Sequence, residues 1–353
     1  MGGARIGGEA VQQTLLAREF VRSGYDVSMI VKDYGQPDGE VIDGIRVFKT
    51  YKESAGLPGV RFLHPRATSI IRALRRADAE TYYQSCAGVQ TGYVARHCRK
   101  KDRNFVFRVA SDADCVPGEQ LIGLWRDRKI YEYGLRRADL ILAQSRRQMS
   151  LLKEHYGLES TLVNMAAEIP EGLEGSTRDI DALWVGNFRP LKRPEIVIEL
   201  AARLPQRKFA MIGGPAHDPL YFDEIKERAL STGNIQFLGR VPYRDMSHYF
   251  SRTKVFINTS EVEGFPNTFL QSWMHGVPVV SFFDPDGIIA NEALGQSPSD
   301  VDEMARIIEQ LATDDVKRTD AARHVQSFAL RHYSPETIVD ELVRIFSEAL
   351  SRN

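Results

Sequence analysis

Cysteine is scarce in this chain of 353 residues: Cys86, Cys98 and Cys115, an odd number at gaps of 12 and 17. That spacing fits neither a zinc site nor a disulfide framework, so idle or buried thiols in a reducing cytoplasm are expected. Any apolar run near the roughly 18 to 20 residues of a membrane-spanning helix is also missing. The start of the chain carries no signal-peptide pattern. The expected place is therefore the cytoplasm, with at most a peripheral position at the inner face of the membrane. There is no low-complexity tract. Nor does charge of one sign dominate, since 46 Lys and Arg stand against 47 Asp and Glu, a net of −1.

What is present is ordinary in kind: 43% hydrophobic and 26% charged residues, the make-up of a globular protein. The length exceeds one ordinary core and predicts two domains. The near-zero charge hides an asymmetry. Residues 1–165 hold 26 basic and 19 acidic side chains, a net of +7, and the remainder holds 20 and 28, a net of −8. A basic half points to an anionic partner there, or to a solvated surface with none. No nucleic-acid partner is expected.

Both halves alternate short β-branched or aromatic runs with longer helical patterns, the signature of parallel α/β domains. "AVQQTLLAREFVRSG" reads as a helix, and "YDVSMIVK", "ETYYQS", "NFVFRVAS" and "DLILAQS" as strands. In the second half "DALWVGNF", "KFAMIGG", "IQFLGRV", "KVFINTS" and "VPVVSFF" are strands, with "PEIVIELAARL" and "NTFLQSWMHG" helical between them. Ligands of such sheets bind at the carboxyl ends of the strands. A boundary is expected within 166–180, a stretch rich in Gly, Pro and Glu. This gives domains 1–168 and 178–333, followed by a helix, 334–353, free to cross back to the first domain. The opening "GGARIGGEAVQQ" is a glycine-rich loop running into a helix, with no strand before it. Either the chain is truncated or the first sheet lacks a member, and truncation is the favoured expectation.

The stretch "SEVEGFPNTFLQSWMHGVPVVSF" carries the most chemistry. Glu263 precedes a Gly264-Phe265-Pro266 turn and a helix closed by Gly276. Free N–H groups at that helix start, with the positive end of its dipole, suit an anion or sugar hydroxyls. Asn267 and Gln271 are four apart and share one helix face. A polyhydroxylated, phosphate-bearing ligand fits this arrangement.

Here the sequence resembles the retaining family 4 glycosyltransferases of the GT-B fold, whose mark is a Glu-x7-Glu element around "E-G-F-P". In this chain it reads "EGFPNTFLQ". The resemblance implies two Rossmann-like parallel-sheet domains facing each other across a cleft, acceptor side first and nucleotide-sugar side second. It implies that Glu263 is catalytic and holds donor-sugar hydroxyls, and that Gly264, Phe265, Pro266 and Asn267 approach sugar and phosphate. The family's second carboxylate, which holds the nucleotide ribose, falls on Gln271, a departure. "VGNFRPLKRPE" resembles the phosphate loop: Lys192 matches its Lys, while Asn187 stands where the family has Arg, leaving Arg189 as the substitute. "RIGGEAVQQ" resembles the donor-facing loop of the first domain, with Gly7 and Gly8 as close-approach glycines. The His frequent near "FRVASDADC" is missing, and Asp112 is the acceptor-side candidate in its place.

The implied activity is transfer of a sugar from a nucleotide-diphosphate donor to a glycan, lipid-linked or small-molecule acceptor, with retained anomeric configuration. A non-catalytic sugar-nucleotide binder and a GT-B-fold epimerase remain as alternatives. A dehydrogenase lacks its acidic residue after a "G-x-G-x-x-G". No cofactor and no metal are expected, although "DAD" at 112–114 has the look of a metal motif from another fold. The segment 56–77 mixes Phe62, Leu63, Ile70, Ile71 and Leu74 with five arginines. It suits either packing on the sheet or contact with an anionic membrane.

Overall fold

The computed structural model describes residues 8–57, 61–171, 177–216, 218–261 and 263–350. The chain divides into two units, Met1–Ala166 with Pro335–Asn353, and Ala167–Ser334.

The first unit begins with α1 (Gly8–Arg22), β1 (Ser28–Val31), β2 (Glu40–Ile42) and β3 (Ile45–Lys49). It continues through α2 (Thr68–Ala77), β4 (Thr81–Ser85), α3 (Val89–Lys101) and β5 (Asn104–Arg108). Then come α4 (Trp125–Leu135), β6 (Leu140–Ala143), α5 (Arg146–Tyr156) and β7 (Thr161–Leu162). Every strand read from the sequence in this half is present. The β2–β3 hairpin is an addition. Its Asp43-Gly44 turn has φ of 52° and 80°, the left-handed pair that matches the twist of flanking strands. Because β2 is exposed along its whole length, no alternation marks it in the sequence.

The second unit holds β8 (Ile180–Val185), α6 (Glu195–Arg203), β9 (Phe209–Ile212), α7 (Pro219–Thr232), β10 (Ile235–Gly239) and α8 (Met246–Ser251). After these come β11 (Thr253–Asn258), α9 (Asn267–Met274), β12 (Val279–Ser281), α10 (Ile288–Asn291), β13 (Gly295–Gln296), α11 (Val301–Thr313) and α12 (Asp315–Tyr333). The last helix, α13 (Pro335–Leu350), belongs to the first unit. All ladders of the six-stranded sheet are parallel, in the order β10-β9-β8-β11-β12-β13. The chain runs outward from β8 to β10 and then returns to place β11 on the other side of β8. The strand order reverses there, and the carboxyl ends of β8 and β11 mark the switch point where such sheets take ligands.

The period-2 alternation of strands sorts side chains onto two faces. In the second unit Trp184, Met211, Val255 and Ile257 pack against Val197 and Leu200 of α6, Ile225 of α7 and Ile308 of α11. Aromatic contacts among Phe250, Phe256, Phe269 and Trp273 join α8, β11 and α9. In the first unit Phe105 and Phe107 face a core with Leu74, Tyr131 and Leu152, while Val106 faces Leu16 of α1 and Ile338 and Leu342 of α13. Full burial of one such side chain contributes about 1.5–3 kcal/mol. The first unit's strands form two sheets, β1-β3-β2 and β4-β5-β6-β7, and among the described residues no strand precedes α1.

Candidate functional site

Two loops leave the switch point side by side: residues 186–194 after β8, and 259–261 with 263–266 after β11. The sheet is drawn tight beneath them. A Cβ at Gly213, whose φ is 156°, would lie 1.8 Å from the Gly186 carbonyl oxygen, so only glycine fits that approach. The buried Trp184 donates its indole N–H to Thr259 Oγ1 at 3.1 Å, and that hydroxyl donates to the Lys192 carbonyl at 2.7 Å. The Glu261 N–H donates to the Leu191 carbonyl at 3.2 Å. The two loops are thereby latched to each other and to the sheet.

Above the latch, Lys192 Nζ forms an ion pair with Glu263 Oε1, and Ser260 Oγ donates to the same oxygen at 2.7 Å. The Ser260 N–H is itself held by Asn258 Oδ1 at 2.8 Å. The structure thus brings Lys192 and Glu263, 71 residues apart in sequence, into direct contact. Arg189 lies on the same loop but is exposed and forms no ion pair among the described residues. Sequence reasoning missed its neighbour Arg193, held at φ 48° with its guanidinium 3.8 Å from Glu261 and 5.7 Å from the Phe282 ring centre. The adjacent Lys-Arg pair of "PLKRPE" was the available signal.

Pro266 is the N-cap of α9, and its own side chain makes no hydrogen bond to that end. Phe265 anchors the turn by packing against Trp273 and Tyr333, with ring centres 6.3 and 6.1 Å away. The far end closes as predicted at Gly276, φ 63°, with Gly276 N–H on the Trp273 carbonyl and Val277 N–H on the Ser272 carbonyl. Asn267, Thr268 and Gln271 are the half-buried residues of α9.

In the first unit, Gly8 opens α1, and Gly7 lies outside the described residues. Asp112 pairs with Arg147 at 2.8 Å. Asp114 accepts from the Ala110 N–H and the Ser111 hydroxyl at 3.0 and 3.1 Å, closing a capping box. Its carboxyl is raised above the usual value by burial, against the pull of those hydrogen bonds. Both acidic groups of "DAD" therefore have local structural partners. Sequence reasoning also passed over Glu9. Burial raises its carboxyl, a hydrogen bond to Cys86 lowers it, and the charge of Asp114 raises it further.

Two α/β units with parallel sheets, the second built around a switch-point site, place the molecule in the GT-B fold class. Sucrose-phosphate synthase from Thermosynechococcus elongatus shares this fold, with a TM-score of 0.76 over 98% of this chain and 94% of that one, at 15% identity. The glycosyl transferase 4-like model matches residues 7–165 and the glycosyl transferases group 1 model matches residues 166–327. The chain belongs to the group 1 glycosyltransferases. Among its relatives are the Vi polysaccharide biosynthesis protein VipC/TviE of Salmonella typhi, 29% identical over 48% of this chain. Another is the lipopolysaccharide core biosynthesis glycosyltransferase LpsE of Rhizobium meliloti, 28% identical over 46% of it. The matched segments span 31% and 48% of those two relatives' own lengths.

Proposed function

We propose that this chain transfers a hexose from a nucleoside-diphosphate donor to a glycan or lipid-linked acceptor, with retention at the anomeric carbon. The observation that carries the reading is the contact of Lys192 with Glu263 at the switch point, beside the start of α9. A diphosphate sugar would divide that pair: Lys192 turns to the phosphates and Glu263 to the sugar hydroxyls. Arg189 and the N–H groups of α9 add positive field where charge develops on the leaving diphosphate. In this reading the protein's own cations meet that charge, and no metal is needed. The bond from the anomeric carbon to the diphosphate oxygen breaks while the acceptor oxygen bonds on the same face. The acceptor's proton passes to the departing phosphate oxygen. Asp112 stays an acceptor-side candidate.

A lipid-linked acceptor is favoured by the first unit's surface. The apolar side of α2 enters the core through Ala73 and Leu74, but Leu63, Leu121, Leu124 and Trp125 are 57, 92, 54 and 76% exposed. Arg126 sits 3.8 Å over the Phe62 ring and ties the two exposed segments together, with exposed Arg61, Arg72 and Arg75 in the same part of the chain. Among the described residues no helix is long and apolar enough to cross a membrane, so contact would be peripheral. Trp125→Ser with Leu121→Ser should lower co-sedimentation with anionic vesicles severalfold, and unchanged binding would count against this contact.

The activity test is incubation with UDP-, GDP- and ADP-hexoses and glycan or membrane acceptors, with the product anomer read by NMR. Glu263→Ala is expected to lower turnover at least tenfold, about 1.4 kcal/mol of barrier. Wild-type turnover in that variant would sink the assignment. Donor binding without product would favour a binding protein, and a changed sugar still on its nucleotide would favour an epimerase.

A further inference from the structure

Glu263 Oε1 has two partners, and they are anchored very differently. Lys192 reaches it from the loop after β8 on a long, flexible stem. Ser260 reaches it from the end of β11, where Asn258, Thr259 and Ser260 are all buried. The Ser260 N–H is held by Asn258 Oδ1 at 2.8 Å, so its backbone is fixed without help from its side chain. Among the described residues the Ser260 hydroxyl has one partner, Glu263 Oε1 at 2.7 Å. The pair is spelled Ser-x-x-Glu, the order of a capping box, in which serine and glutamate side chains each take a backbone N–H of the other residue. The chain has such a box at Ser111 and Asp114. At 260 and 263 the exchange is different. The Ser260 N–H goes to Asn258, the hydroxyl donates to the carboxylate itself, and the next helix starts only at Asn267. Capping a helix does not account for this bond.

We propose that Ser260 is a positioning residue for Glu263: it keeps the carboxylate in place once a bound donor has drawn Lys192 away. This rests on the donor-site reading above. On that reading binding divides the ion pair, and without a second holder the Glu263 side chain would be free to swing on its turn. A hydroxyl suits the task. It donates to the carboxylate with charge assistance, yet carries no charge that would compete with Lys192 for the diphosphate. Both protein partners meet Oε1, which leaves Oε2 for the sugar hydroxyls. Before a donor binds, Lys192 alone can hold the carboxylate, so the hydroxyl matters chiefly afterwards. Its largest effect falls where positive charge develops on the sugar, in the transition state.

The experiment uses Ser260→Ala in the full chain, which removes the hydroxyl and keeps the N–H bonded to Asn258. Sugar transfer with the donor and acceptor that the wild type uses should fall about tenfold in kcat, with KM within about twofold. Calorimetric titration with UDP, GDP and ADP should give wild-type affinity for whichever binds, because no sugar is present to be oriented. Glu263→Ala and the double variant should turn over alike, since a residue that acts only through Glu263 then has nothing left to position. Wild-type kcat in Ser260→Ala would overturn the proposal and leave the donor site standing. So would a further fall on adding Ser260→Ala to Glu263→Ala, or a weakening of the nucleotide that matches the loss of turnover, since either marks a general disturbance of the loop. If Glu263→Ala turns over like the wild type, or the wild type transfers no sugar, the donor-site reading itself falls and takes this inference with it.

Discussion

Thr259→Val removes one hydroxyl and changes almost nothing else in side-chain volume. Thr259 is fully buried, and its Oγ1 both receives the Trp184 indole N–H and donates to the Lys192 carbonyl. Without it, a buried N–H loses its partner outright, at a cost of about 1–3 kcal/mol. The Lys192 carbonyl loses one bond but sits on a loop that water can reach, so its share falls at the low end, near 1 kcal/mol. The sum is about 2–4 kcal/mol in the second unit. For a domain of this size each kcal/mol lowers the melting temperature by about 2–4 °C, which predicts a fall of about 4–16 °C in that unit's transition. Thr259→Ser keeps the hydroxyl and loses a methyl, and should fall by less. Differential scanning calorimetry of the three proteins decides it. If Val melts with the wild type, or Ser melts below Val, the hydroxyl does not hold the loops together and the latch is wrong.

Asn234 Nδ2 donates to the carbonyls of Ala201, Leu204 and Arg207 at 3.0, 3.0 and 2.9 Å, closing the end of α6 against the start of β10. Asn234→Ala should cost about 2 kcal/mol and lower the urea midpoint, and an unmoved midpoint would contradict the closure. Glu9 gives a pH test of the opposite sign from most carboxylates, because burial first, and then Asp114 against the hydrogen bond from Cys86, raises its pKa in the fold. An acid raised in the folded chain keeps its proton where the unfolded chain has lost it. Stability is therefore full below the unfolded value of 4.5 and is lost as pH rises through the folded one. Glu9→Gln should melt above the wild type at pH 8, with the gap closing toward pH 4.5, and a gap independent of pH would refute this.

Much of the second unit was legible because its strands are continuous apolar runs bounded by Gly, Pro, Asn or Ser. Parallel sheets buried on both faces write themselves that way. The turn at 263–266 and the helix after it were equally plain, since a proline and a closing glycine fix both ends of α9. What could not be read was pairing at a distance. The bonds from Trp184 to Thr259 and from Lys192 to Glu263 each cross more than 70 residues. Nothing in either local sequence encodes the partner. The partner of the acceptor-side candidate Asp112 was equally hidden, since Arg147 is 35 residues on.

The Lys192–Glu263 contact also bears on whether this constellation exists for stability or for a ligand. The two side chains are only 25 and 13% exposed, so each is partly stripped of water. A pair buried to that degree gains in attraction about what it loses in hydration, and apolar side chains of similar size commonly serve a fold as well or better. Stability is thus a weak reason to place both charges at this point. Their placement makes more sense where the charges have separate uses: a cation for an anionic leaving group and a carboxylate for hydroxyls. Both are held on loops latched to the sheet at its switch point, beside the start of α9. On the proposed reading each partner satisfies the other's charge until a donor separates them, so neither is left unpaired in the meantime.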